Sequence, residues 1–132
     1  MNKIRLIIFF ILISFLSSLN AQNNNKFKIV NNDSQMKIDI LIDGKLFTSY
    51  IYNDEIPVLK KPVLFPIISA MGDTITRGYP LAPRKGERID HPHQIGLWFN
   101  YGDVNGLDFW NNSNAIPETQ SDKMGTIILQ DI

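Results

Sequence analysis

Residues 36–52 constrain the fold of this 132-residue chain more than any other stretch. Met36, Ile38, Ile40 and Ile42 alternate with Lys37, Asp39 and Leu41, so in an extended chain the isoleucines leave one side. Asp43-Gly44 follows, then Lys45–Tyr52, rich in β-branched and aromatic residues. Asp-Gly between two such runs predicts a type I′ hairpin, whose two central residues both take positive φ. A short strand is predicted before it at Phe27–Val30, closed by the turn-forming Asn31-Asn32-Asp33-Ser34.

Beyond the hairpin, Pro57, Pro62 and Pro66 interrupt an apolar stretch that includes Val63-Leu64-Phe65, which predicts an edge strand or a bent one. Met71-Gly72-Asp73 turns the chain into an expected strand over 74–79, and a loop runs from Pro80 to Asp90. Further strands are expected at Gln94–Tyr101, Leu107–Trp110 and Thr126–Ile132, with a turn at Gly102–Gly106. No segment after Leu19 sustains a 3.6-residue apolar period, so few or no helices are predicted. Short strands punctuated by turn signals imply an all-β fold, an antiparallel β-sandwich. Thr126–Ile132 has no closing turn or polar tail, which leads us to expect an incomplete, N-terminal portion of a longer sandwich, truncated at its C-terminus.

The first 21 residues read as an address. Lys3 and Arg5 precede an eleven-residue apolar run, Leu6–Leu16, and Ala21 stands before Gln22. This is the layout of a cleavable secretory signal peptide, with 22–132 as the β-sandwich domain. A spanning helix needs about 20 apolar residues, so no stable membrane span is expected after signal removal. The expected location is the periplasm or the medium. With 13 basic and 13 acidic residues, charge does not favour nucleic acid, and with no Cys there is no disulfide framework or thiolate metal site.

The chemistry concentrates between Arg77 and Trp110. Both histidines, three of the four arginines and both tryptophans lie there. Pro92 disfavours the α region for His91, so His91-Pro92-His93 is expected to be extended, with both imidazoles on one face and Cβ atoms roughly 6.5–7 Å apart. In unbroken register they share a face with Ile95, Leu97, Phe99 and Tyr101, while Arg88, Asp90, Gln94 and Trp98 point the other way. Gly96 is where a bulge would break this register.

Three readings follow. His91 and His93 form an H-x-H pair able to ligate a divalent metal, with Asp90 or Glu87 as an oxygen donor, although no third histidine exists in the chain. Alternatively they are the catalytic acid/base or hydroxyl-contacting groups of a small-molecule or carbohydrate pocket. In that pocket Arg84, Arg88 and Asp90 bind and orient substrate, and Trp98, Tyr101 or Trp110 offers a flat face to a sugar ring. In the third reading the cluster is structural, part of a non-catalytic or partner-binding module.

Four blocks, KPVLFPI at 61–67, TRGYPL at 76–81, GERIDHPHQIGLWF at 86–99 and GDVNGLDFW at 102–110, occur in this order. Together they resemble an exported bacterial family labelled methane oxygenase PmoA, over about residues 26–132. That family usually carries a third histidine where this chain has Gln94, and its members run to more than twice the length of the expected mature chain, 22–132. True methane oxidation is not expected from one short apolar segment and two histidines. The resemblance implies an exported β protein, similar to carbohydrate-processing or carbohydrate-binding sandwiches such as the mutarotase-like supersandwich. Whether the chain is an enzyme, and which cofactor it uses, is not fixed by these residues.

Overall fold

The computed structural model describes residues 26–131; the signal-peptide expectation lies outside them. Four strands, β1 (Phe27–Asn32), β2 (Lys37–Ile42), β3 (Lys45–Ile51) and β4 (Val63–Leu64), form one antiparallel sheet in the order β1-β2-β3-β4. The only helical turns among the described residues are 3-10 turns at Asp33–Gln35 and Glu118–Lys123. The fold is all-β, as the alternation predicts.

Asp43 and Gly44 have φ of +50° and +76°, the pair of left-handed conformations that a type I′ turn demands. Between Ile40↔Thr48 and Leu41↔Leu46 the β2–β3 register shifts, leaving Phe47 as the extra residue of a bulge. Opposed residues share a face, so Ile38 lies with Tyr50 and Leu64, and Lys37 lies with Ile51 and Val63. The packed core is on the Val63 side. Leu59, Val63, Phe65 and Ile95 are buried there, with Ile51, Ile56, Leu81 and Trp98 against them. Ile38, Ile40 and Ile42 are consequently only half-buried. On the Leu64 side Tyr50, Leu97, Phe99, Tyr101 and Phe109 line an apolar groove of about 630 Å³.

A polar knot sits on the core side of β2. Asp39 accepts hydrogen bonds from Ser49 Oγ at 2.6 Å and Asn32 Nδ2 at 2.7 Å, with Lys37 Nζ at 3.3 Å. Burial alone would raise the Asp39 pKa, but these donors outweigh it and hold the carboxyl below its ordinary value.

The second half of the chain corrects the sequence-based strand pattern. The expected strands at 74–79, Gln94–Tyr101, Leu107–Trp110 and Thr126–Ile132 appear only as single bridges or irregular chain in the described residues. Ile68 pairs with Thr74, Val104 with Leu107, and Leu64 with Leu97. The Leu64–Leu97 pair has two backbone hydrogen bonds, of 2.8 and 3.0 Å, and docks the aromatic segment onto β4. Gly96 explains why pairing stops. Its φ is +53°, and a Cβ there would lie 2.6 Å from the Leu64 carbonyl oxygen. The turn at Gly102–Gly106 is present, with Asn105 and Gly106 at φ +54° and +84°.

Gly96→Ala combines left-handed strain with this close approach. It should cost at least about 2 kcal/mol, read as a lower urea midpoint, whereas Gly44→Ala, with open space around it, should lose only the strain component.

Candidate functional site

The loop before the histidines is organised from within by Glu87. Its carboxylate accepts the backbone N–H of Gly78 at 2.8 and 3.0 Å, and those of Tyr79 and Arg84 at 3.2 Å each. The Gly78 hydrogen bond is the largest influence and keeps Glu87 more acidic than an ordinary glutamate. Gly78 itself has no room for a side chain, because a Cβ would collide with the Ala82 carbonyl. Arg84 belongs to this same loop, donating to Thr76 O at 2.7 Å and pairing with Glu87 at 3.5 Å.

Arg77 replaces a neighbouring strand for the segment that leads into the histidines. Its Nη2 donates to the carbonyls of Arg88 at 3.1 Å and Asp90 at 2.6 Å, and Nη1 lies 3.6 Å from the Asp90 carboxylate. Asp90 also faces Arg88 Nε at 3.5 Å and His91 Nδ1 at 3.2 Å. Burial would raise the Asp90 pKa, but Arg88 and His91 more than offset it and the pKa falls.

His91-Pro92-His93 is not the extended tripeptide that Pro92 suggested. His91 has φ +52°, and its carbonyl accepts the Gln94 N–H at 2.9 Å, closing a turn. Proline's fixed φ serves the second position of this turn as well as it would serve a strand. The expected parity therefore fails: Ile95 is buried, while Leu97, Phe99 and Tyr101 are exposed. The imidazoles still meet, with centroids 5.6 Å apart and ring planes at 67°.

From His93 the contacts continue into an aromatic wall. His93 lies 6.2 Å from Trp110, and Trp110 lies 5.9 Å from Trp98, centroid to centroid. Behind them is Lys61, only 6% exposed. Its Nζ donates to the Trp110 carbonyl at 2.9 Å and stands 3.4 Å over the Trp98 ring. Burial lowers the Lys61 pKa to about 7, against a smaller opposing pull from Asp108. The indole face also favours the ammonium. His93 is lowered too, first by burial and then by the charges of Lys61 and His91, with Asp108 opposing.

The front of this wall is a cleft of about 330 Å³. Arg77, His93, Gln94, Trp98, Asn100 and Trp110 line it. The Asn100 Oδ1 acceptor is buried and has no hydrogen-bond partner. Of the residues singled out in the sequence, His93, Trp98 and Trp110 line the cleft, with His91 beside His93 and Asp90 beside His91. Arg84 and Arg88 do not line it: Arg84 is spent on its own loop, and the Arg88 side chain is 87% exposed. No group of three or more His, Asp or Glu side chains placed to hold a metal occurs among the described residues, so the H-x-H pair acquires no third ligand.

Sequence reasoning passed over Lys61, Arg77 and Asn100. A lysine inside the apolar block KPVLFPI was the available signal for Lys61. For Arg77 and Asn100 the sequence offered only proximity to the histidines.

A family model for DUF6807, a family of unknown function, matches residues 37–132, and the chain belongs to that family. The match takes in every residue of the cleft. No curated protein and no solved structure matches the chain.

Because its folded pKa lies below its unfolded one, Lys61 binds fewer protons in the folded protein between about pH 7 and 10.5. Stability should therefore rise with pH across this window, by on the order of a few kcal/mol at most, and should be flat with respect to Lys61 below it. Lys61→Met should abolish that rise in urea denaturation measured at pH 7 and pH 10. An unchanged slope would mean that the ammonium is not desolvated.

Proposed function

We propose that this DUF6807 member is an exported carbohydrate-binding or carbohydrate-active protein, with the cleft between Arg77, His93 and the Trp98–Trp110 wall as its sugar site. The observation that carries this reading is the union of a two-indole wall with polar groups around one cleft of about 330 Å³. A pyranose has an apolar C–H face and an equatorial rim of hydroxyls. The indoles match the first. His93, Gln94 and the Asn100 amide match the second, and the unpartnered Asn100 Oδ1 would gain a hydroxyl donor.

In the carbohydrate-active form of this reading, His93 is the proton acceptor. Burial and the neighbouring Lys61 and His91 favour its neutral form. His91, held against Asp90 at 3.2 Å, is the paired acid. The export component rests on the apolar run at 6–16 behind Lys3 and Arg5. Methane oxidation is not part of this reading, which rests on the indole wall and the polar groups of the cleft. The sheet with its half-buried isoleucine face would be one layer of a sandwich.

Titration of the folded chain with a panel of oligosaccharides should change tryptophan fluorescence, since both tryptophans of the protein line the cleft. Trp110→Ala should weaken binding by about tenfold or more. A panel that leaves the emission and the heat of mixing unchanged throughout would refute the sugar site.

A further inference from the structure

We infer that the saccharide taken by this cleft is an acidic one, its ring carboxylate set against His93 and Arg77 and its sugar face against the Trp98–Trp110 wall. The inference rests on the carbohydrate reading above and specifies its ligand.

Three observations point this way. First, the cleft has no acidic lining: Arg77 and His93 are its ionisable groups, and no Asp or Glu side chain borders it. Hydroxyls of a neutral sugar need acceptors as much as donors, and carboxylates are the strongest acceptors a protein can offer. Here the one permanently charged group of the lining is a guanidinium, beside an imidazole, two amides and two indoles.

Second, the carboxylate that faces Arg77 is not its alone. The Asp90 carboxylate is shared among Arg77 at 3.6 Å, Arg88 at 3.5 Å and His91 at 3.2 Å. Of these three partners only Arg77 lines the cleft, and the carboxylate it faces is already divided among all three. Third, the groups that face His93 are arranged so that a bound anion would relieve it. Lys61 behind the indoles and His91 beside it disfavour its protonation, and Asp108 only partly opposes them. A carboxylate from the ligand would reverse that balance. The unpartnered acceptor of the cleft lining, Asn100 Oδ1, suits one hydroxyl on the same ring.

The carboxylate of a uronic acid stays ionised above about pH 4. Affinity should therefore climb as pH falls, because a bound carboxylate favours the protonated form of His93. It should also weaken with added salt, because the cleft is open to solvent.

The test is calorimetric titration of the full chain with oligogalacturonate and with uncharged galacto-oligosaccharides of equal length, at pH 5.5 and 7.5. The acidic ligand should bind about tenfold tighter, with the larger advantage at pH 5.5. His93→Gln should erase the pH dependence. Gln94→Glu, at an exposed position on the cleft rim, should weaken the acidic ligand by a larger factor than the neutral one, and it keeps the test open should the histidine variant fail to fold. Equal affinity for both ligands, or a pH dependence that survives in folded His93→Gln, would overturn the acidic preference and leave the sugar site standing. Binding of neither ligand would remove both. Polyacrylate binding as tightly as oligogalacturonate would show charge recognition without a sugar, and would overturn both as well.

Discussion

The burial of one ammonium group organises the functional half of this protein. Lys61 enters β4 from a proline-flanked bend and places its Nζ between the Trp110 carbonyl and the Trp98 ring. A buried cation with no partner would be expensive. Here a carbonyl, an indole face and the nearby Asp108 offset part of that cost, although burial still lowers the Lys61 pKa to about 7, and the result links three segments distant in sequence. The two indoles lie in front of that ammonium and make one wall of the cleft. Burial of the lysine and the shape of the cleft are therefore one fact.

The rest of the site is held by side chains standing in for secondary structure. Arg77 takes the carbonyls of Arg88 and Asp90 that a neighbouring strand would otherwise bind, and Glu87 takes the N–H groups of Gly78, Tyr79 and Arg84. Buried or half-buried backbone groups must be paired somewhere. A loop that pairs them with charged side chains gains a fixed shape without a ladder, and it leaves its histidines on a turn at the cleft mouth. The Leu64–Leu97 pair then fixes this loop region against the sheet.

How much of this was legible in the sequence follows from the range of the forces involved. The hairpin at Asp43-Gly44 was readable because alternation and turn chemistry act within a few residues, and β1 to β3 fall where that pattern places them. The second half was misread for the same reason. Apolar runs such as Gln94–Tyr101 look like strands locally, but Gly96 takes a left-handed conformation and packs against the Leu64 carbonyl. Pro92 signalled restricted geometry correctly, yet its φ fits a turn and an extended chain alike. The gathering of His91, His93 and Trp98 near one cleft was visible because they are close in sequence. Lys61 joins them from 37 residues before Trp98 through tertiary packing, and its place at the head of the apolar block KPVLFPI is the one local hint of it.

The central claim is that the two indoles form the wall of a sugar site. With two tryptophans in the chain, a proton–nitrogen correlation spectrum contains two indole N–H signals, and both report on the cleft. Titrating the labelled protein with the tightest saccharide of the panel should shift both signals together, along with the Asn100 side-chain amide. Indole signals that stay fixed at saturating saccharide would contradict the account.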